Sequence, residues 1–498
     1  MSASDPSLTA ERVGTKTRAG ISWNLLGAFA TNAMRVVVIA VLGRSLNSAD
    51  FGVVSVAISV NTILIGVRDI GIGTALVQRK DLTPAHVTTA FALSTYLGLA
   101  VALGLTVAAP FLSDEFGVPD SAGVIRALSL LFVIRGVSTT ARMMAQREMN
   151  FRAIALIDAM SFLVGSLVSM ILAVLGAGYW ALTLGYLAEE VVSSGAYVLS
   201  QRTDWGLKID GARLRELMTF GTGQSIGYVL GTLAHNGDNF VVGHVLGARP
   251  LGYYARAYDL IRFPSTVFQA IVGSVLFPAF ARFQDAPERL AAHFRRVTFL
   301  NALVLLPASA ALIVLAPEVI RVLMGANWDS AVLPFQILSI SILMRTGQRL
   351  GAIVAQAAGA VNGIAVVYGV YLVLVVGGAA FAIRWGLAGV AASTAIAIAC
   401  ADLGCSYLSI QISGLRWSAF GMAHVSGALI AAVIGAVGWP VASTLRAREV
   451  GTLPILALVG GLMILIALAG VALGLRSRSG DFTWARAEVA RFRGRKAK

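Results

Sequence analysis

Apolar stretches of about 20 residues recur along the chain from residue 20 to residue 475, broken only by short polar segments. A stretch of that length crosses the hydrocarbon core of a bilayer as one helix, and lipid tolerates only segments whose backbone groups bond internally. The runs predict helices near 20–42, 51–76, 88–112, 121–145, 153–175 and 179–200. After a polar linker they predict more near 216–246, 251–280, 297–316, 329–357, 362–383, 385–411, 419–445 and 452–475. The expected fold class is an all-α polytopic membrane protein of about 14 transmembrane helices. Composition leaves little else, since 57% of the residues are hydrophobic and only 13% charged, against roughly a quarter charged in a soluble domain.

The net charge of +14 points to topology rather than to nucleic acid, because the chain offers no soluble basic face interleaved with aromatics. With the N-terminus taken as cytoplasmic, alternate loops place 24 Lys and Arg on the cytoplasmic side. The other side receives six: Arg44, Arg249, Arg321, Arg384, Arg446 and Arg448. An omitted helix would invert every later loop, so the asymmetry predicts an even number of spans and two cytoplasmic termini. Residues 1–19 carry Arg12, Lys16 and Arg18 and enter the first span without a small-residue cleavage site, so that span is read as retained. In the tail, Phe482, Ala485, Val489 and Phe492 share one helical face amid Arg486, Arg491, Arg493, Arg495, Lys496 and Lys498. That pattern reads either as a helix lying on the anionic leaflet or as a disordered basic extension. Cys400 and Cys405 have no metal-ligand company and are expected to be plain buried residues.

The chain repeats itself. Leu26–Gly43 aligns with Leu230–Gly247 without gaps, with nine of the 18 positions identical, including Gly27 with Gly231, Asn32 with Asn236 and the closing Val-Leu-Gly. Small-residue turns recur before the sixth predicted helix (Gly178 to Leu182) and before the twelfth (Gly386 to Val390). Two pseudo-symmetric six-helix bundles with two helices left over are the expected architecture, and internal repeats of this kind suit transporters that rock one bundle against another. The expected divisions are a cytoplasmic N-terminal segment 1–19, a first bundle 20–200, a cytoplasmic linker 201–215, a second bundle 216–411, two extra helices 412–475, and a basic cytoplasmic tail 476–498.

Nine basic residues fall within predicted helices, and all are arginine: Arg35, Arg68, Arg126, Arg135, Arg142, Arg256, Arg262, Arg345 and Arg349. Arg135, Ser138, Thr139 and Arg142 form one stripe at helical spacing, and Ser341, Arg345, Gln348, Arg349 and Gln356 form another. A third polar face holds Ser225, Tyr228, Thr232, His235, Asn236 and Asn239. Such faces avoid lipid and meet protein or a hydrated cavity. The planar guanidinium suits multidentate binding of phosphate or carboxylate, so Arg35, Arg135, Arg262, Arg345 and Arg349 are candidate cavity cations, with Tyr228, Asn236, Asn239 and Gln348 as polar contacts. Arg126, Arg142 and Arg256, near helix ends, read as snorkelling. Cation coupling needs a carboxylate in a low-dielectric place, and Asp158, Glu190, Asp238 and Asp402 qualify, a structural ion pair being the other reading for each. His235 and His244 read more readily as hydrogen-bonded core residues than as proton carriers. No Walker-type loop appears, so ATP hydrolysis is not encoded.

Several motifs, in order, resemble the bacterial polysaccharide flippases of the multidrug, oligosaccharidyl-lipid and polysaccharide exporter superfamily. They are Ser22-Trp23-Asn24, Leu42-Gly43-Arg44-Ser45-Leu46, Asp50-Phe51-Gly52, the run Gly71 to Lys80, Arg147 to Arg152, and Gly178-Tyr179-Trp180-Ala181-Leu182. Leu251 to Ala257 and Phe277-Pro278-Ala279-Phe280 continue the series. The resemblance implies two six-helix bundles around a central cavity plus two C-terminal helices. It implies translocation of undecaprenyl-diphosphate-linked oligosaccharide repeat units from the cytoplasmic to the periplasmic leaflet, for exopolysaccharide, capsule or lipopolysaccharide assembly. The implied setting is the bacterial inner membrane, with membrane lipids and the polymerase and chain-length machinery as partners and no nucleic acid. No resident cofactor is expected beyond a proton or sodium ion as coupling ion. A lipid II flippase and a small-molecule cation antiporter share the architecture and stay open as alternatives. A membrane-bound polymerase or acyltransferase fits less well, for want of a large loop bearing a nucleophile and base.

Overall fold

A computed structural model of the protein describes residues 31, 34–68, 76–77, 79, 81–201, 206–262, 264–265, 287–477, 480–484 and 486, and for 66–68 and 218–228 the backbone alone. Segment 1–19, Gly27, Asn32, the motif stretches 71–75 and 277–280, the side chain of Tyr228 and the tail beyond residue 486 lie outside the described residues.

The first described helices are α1 (34–45), α2 (Ser48–Arg68), α3 (Pro84–Glu115), α4 (Ser121–Arg147), α5 (Phe151–Val174), α6 (Tyr179–Ser200), α7 (Gly211–Leu246) and α8 (248–262). They are followed by α9 (Pro287–Val314), α10 (Ala316–Met324), α11 (Val332–Ser339), α12 (Ile342–Ala357), α13 (Val361–Ala382), α14 (Gly386–Ser413), α15 (Trp417–Ala447) and α16 (Thr452–Arg476). Among the described residues eight stretches are long and apolar enough to cross a membrane, or nine if one bent pair counts as a span. One of the eight, Val361–Ser413, runs for 53 residues. As a single helix it would be about 80 Å long, well over twice the hydrocarbon core. A 3₁₀ turn at Ile383–Trp385 and Gly386, with φ 66°, divide it into α13 and α14.

The chain forms two compact units, one comprising residues up to Arg256 with Val375–Ile383, the other Ala257–Leu374 with everything from Arg384 onward. In the first unit α3 packs along α4, and α6 packs on both α4 and α5. Lipid supplies no hydrophobic drive between helices, so close backbone approach does that work. A Cβ on Gly98 would meet the Phe132 carbonyl oxygen at 2.3 Å, and one on Gly136 would meet the Ser94 carbonyl oxygen at 2.8 Å. Helix starts are capped by polar side chains: Asn150 Oδ1 accepts from the Ala153 amide at 3.3 Å, and Asp210 Oδ1 accepts from the Ala212 amide at 2.9 Å. The Asp210 cap starts α7 at Gly211, inside the stretch 201–215 expected as linker.

In the second unit α9 lies along α15, and α12 along α14. Gly427 of α15 backs onto the Ala302 carbonyl oxygen, 2.2 Å from where a Cβ would stand. The Ser409 hydroxyl donates to the Gly351 carbonyl at 2.8 Å across α12 and α14. Val314, Leu315, Ile430, Ile434, Val459 and Met463 form an apolar cluster that ties α16 to α9 and α15.

Three expectations need correction. The helix expected over 329–357 is broken, with Ala326–Ser339 and Ile342–Ala357 bent by 45°. The amides of Ile340 and Ser341 bond only three residues back, to Ile337 and Leu338, and the Ser341 hydroxyl takes the Leu338 carbonyl at 2.7 Å, so the α-helical ladder stops there. Of the two cysteines only Cys405 is buried, while Cys400 is exposed. Five residues turn a helix by about 140°, which puts the two on different faces. At Phe482, the one member of the tail's apolar face among the described residues, neither reading holds: it is 4% exposed, packed with Phe299 and Ala423.

Candidate functional site

The polar stripe of α4 folds against α5 and α6 of the first unit. Arg135 Nε and Nη2 each lie 2.7 Å from Glu190 Oε2. The Ser194 hydroxyl sits 2.8 Å from Ser138 Oγ and 3.4 Å from Glu190 Oε1. One helical turn on, Arg142 Nη2 reaches Asp158 Oδ2 at 3.1 Å, and the Tyr197 hydroxyl donates to Asp158 Oδ1 at 3.0 Å. Arg35 is exposed, with its guanidinium 5.4 Å from the centre of the Phe162 ring. Two of the candidate coupling acids, Asp158 and Glu190, are thus ion-paired, and Arg142 spends its charge on one of them.

Deeper in the same unit, Asp238 is 1% exposed. It accepts from the Tyr254 hydroxyl at 2.7 Å and from the Asn239 amide at 2.9 Å. Asn236 Nδ2 donates to the Thr232 carbonyl at 2.8 Å, an internal helix contact, while Asn239 Oδ1 is buried without a hydrogen-bond partner.

In the second unit Tyr258 gathers two of the candidate arginines. Arg345, 7% exposed, donates from Nη2 to the Tyr258 hydroxyl at 2.5 Å, and its guanidinium carbon stands 4.5 Å from the ring centre. Arg262 stands 4.7 Å from the same ring and 3.8 Å from Asp259 Oδ1. Gln348, three residues from Arg345 on α12, is 1% exposed with no partner for Nε2. Arg349 is on the exposed side of α12. Arg345 and Arg262 therefore come together at Tyr258, with donors of the kind that bind phosphate or carboxylate oxygens, and Gln348 follows Arg345 by three residues on α12.

Tyr258 was not singled out from the sequence, although Tyr254, Tyr258 and Arg262 recur at intervals of four and mark one face of α8. Asn301 and His424 were also passed over. Each is a lone polar residue in an apolar run, and both line a cavity beside Asp402 in the second unit.

Comparison with known proteins agrees with this picture of a polytopic helical membrane protein. The chain is 27% identical over 345 residues to the lipopolysaccharide biosynthesis protein WzxC of Escherichia coli K12, covering 68% of this chain and 69% of that one. It is 29% identical over 323 residues to the succinoglycan biosynthesis transport protein ExoT of Rhizobium meliloti, covering 64% of each. Among solved structures, the lipid II flippase MurJ in an inward closed conformation superposes with a TM-score of 0.74 at 12% identity, over 91% of this chain and 98% of that one, which shows a shared fold. The helices carrying Arg135, Glu190, Asp238, Tyr258 and Arg262 all fall within residues 41–333, the part matched by the family described as "Polysaccharide biosynthesis protein", and the chain is a bacterial multi-pass membrane protein of that family.

Proposed function

We propose that this protein is a flippase that carries undecaprenyl-diphosphate-linked oligosaccharide repeat units across the bacterial inner membrane, from the cytoplasmic to the periplasmic leaflet. The observation that carries the reading is the family match over residues 41–333. The work is transport, not bond chemistry. A diphosphate with its sugars cannot enter hydrocarbon uncompensated, because stripping water from a charge costs many kcal/mol. Arg262, Arg345 and Gln348 supply replacement donors, Arg35, Arg349 and, once released from Glu190, Arg135 add positive charge, and Tyr228, Asn236 and Asn239 serve the sugar hydroxyls. The prenyl chain stays in lipid throughout.

Both termini lie in the cytoplasm, and a proton or sodium gradient drives the cycle through one or more of Asp158, Glu190, Asp238 and Asp402. The polymerase and chain-length machinery receive the flipped unit. The test is a vesicle assay in which the purified protein moves a fluorescent undecaprenyl-diphosphate-linked oligosaccharide into protection from an external glycosidase, without nucleotide. Wild-type protein protects the substrate, and Arg345→Ala does not. Equal protection by both removes the role given to Arg345, and none by wild type while lipid II is moved overturns the assignment.

A further inference from the structure

An arginine faces lipid near the α3–α4 turn of the first unit, where a charge is costly unless it is paired. Arg126, in the second turn of α4, is exposed, and so is Leu130 one turn further on. Beside them on α3, Leu103, Val107 and Phe111 are exposed at successive turns. An exposed apolar stripe on a helix long enough to span the bilayer lies against acyl chains.

The guanidinium is held in place from α3. Pro110 lies inside that helix, and having no N–H it leaves the Thr106 carbonyl, four residues back, without a helical donor. Arg126 Nε donates to that carbonyl at 3.4 Å across the helix pair. The backbone beneath is fixed by the Ser129 hydroxyl, which donates to the Arg126 carbonyl at 2.7 Å and stands 3.1 Å from Thr106 Oγ1. One donor of the fork is thus spent on protein, and among the described residues no carboxylate forms an ion pair with the remainder.

A carboxylate stands further along the same stripe. Asp114 follows Leu103, Val107 and Phe111 at helical spacing and is exposed in the last turn of α3. From Thr106 to Asp114 the helix rises about 12 Å, which leaves room in line for a phosphate on Arg126 and an ammonium on Asp114. Glu115 is turned instead to His244, with Oε1 3.8 Å from its Nδ1. We infer that Arg126 and Asp114 form a two-point site for a zwitterionic phospholipid bearing a primary ammonium. Its phosphate sits on the guanidinium fork, its ammonium on the carboxylate, and an acyl chain along Leu103 and Val107. A purely anionic lipid satisfies Arg126 but brings nothing to Asp114, and a quaternary ammonium has no N–H to give. The inference concerns the lipid-facing surface and stands whether or not the protein flips a lipid-linked sugar.

The test uses the full-length protein in detergent, with thermal unfolding followed as phosphatidylethanolamine, phosphatidylcholine or phosphatidylglycerol of matched chains is added. The wild-type midpoint rises saturably by at least about 2 °C with phosphatidylethanolamine, and half-saturation takes roughly tenfold more of either other lipid. Arg126→Gln weakens the response to all three lipids. Asp114→Asn keeps a response but makes the three lipids equal. Glycerophosphoethanolamine, the same headgroup without chains, leaves the midpoint where it was. Native mass spectrometry of the wild-type protein reads the site without any variant, since phosphatidylethanolamine should be retained in preference to the other two from an equimolar mixture. A wild-type response that is absent or not strongest with phosphatidylethanolamine overturns the site. So does a response retained in full by Arg126→Gln, a preference kept by Asp114→Asn, or a chain-free headgroup that matches the lipid.

Discussion

Gly52 and Gly252 hold α2 and α8 together reciprocally: a Cβ on Gly52 would stand 1.8 Å from the Ala248 carbonyl oxygen, and one on Gly252 would stand 1.8 Å from the Ser48 carbonyl oxygen. The pairs are offset by 200 residues, and each glycine meets the first turn of the opposite helix. Two like segments touching by the same patch is the signature of a two-fold contact, here within one chain. It lies just past the repeat of Val41-Leu42-Gly43 in Val245-Leu246-Gly247, whose own offset is 204 residues. A methyl at either position has no room unless the helices part. Gly52→Ala and Gly252→Ala are each expected to lower stability by about 1–3 kcal/mol. Because both open the same crossing, the double variant should cost less than the sum of the singles. Unfolding midpoints of the three purified variants in detergent check this, and additive losses would argue against one shared contact.

The Tyr258 hydroxyl anchors Arg345 through a hydrogen bond from a charged donor, a class worth about 1.5–3 kcal/mol. If that bond sets the guanidinium for substrate, Tyr258→Phe should slow polymer export by roughly 10- to 100-fold while protein level in the membrane stays constant. Arg345→Lys should fail to rescue, since an ammonium cannot reproduce the planar fork. Polymer yield in a strain lacking the native gene is the readout, and full export by Arg345→Lys would reduce Arg345 to a simple positive charge.

Glu318 of α10 is 3% exposed, and Arg446 of α15 grips it with Nε at 2.8 Å and Nη2 at 2.6 Å while also reaching the Val314 carbonyl. Arg321 and Asp329 make an equally short pair, but both are about half exposed. Removing one partner of a buried pair strands the other. Glu318→Ala is therefore expected to cost about 3–5 kcal/mol, and Asp329→Ala about 0–1 kcal/mol. Comparing the two unfolding midpoints tests whether burial, not bond length, sets the worth of these contacts.

The helices were legible from the sequence because an apolar run near 20 residues in length has one stable form in lipid, and α3, α5, α15 and α16 lie where such runs predict them, while α9 begins ten residues before its run. The break between α11 and α12 was not, because Ile340 and Ser341 read as ordinary members of an apolar helix and the Ser341 side-chain bond appears only in three dimensions. The arginine stripe on α4 could be read from spacing, but not that Arg135 faces Glu190, 55 residues away. The cavity beside Asp402 was hidden for a further reason. It depends on what Gly347 lacks, and a missing side chain leaves no periodic signal.

The tail carries the last prediction. Phe482 sits edge-on to Phe299, ring centres 5.1 Å apart, and a Cβ on Gly474 would lie 2.1 Å from its Cζ, so that glycine provides the notch it fills. Charge closes the contact on both sides. Arg295 Nη2 reaches Asp481 Oδ2 at 2.8 Å, and the Arg296 guanidinium lies 5.0 Å from the Trp484 ring centre. A segment lying on lipid would tolerate loss of one aromatic with little change in protein stability. A segment seated in the protein would not: Phe482→Ala is expected to cost about 3 kcal/mol, and Gly474→Val, which fills the notch, should release the segment in the same way. Limited proteolysis next to Phe482 follows release directly, and both variants should be cut faster than wild type in detergent, where no bilayer is present to hold the tail. Wild-type protein cut as fast as the variants would show that the packing of Phe482 does not hold the segment.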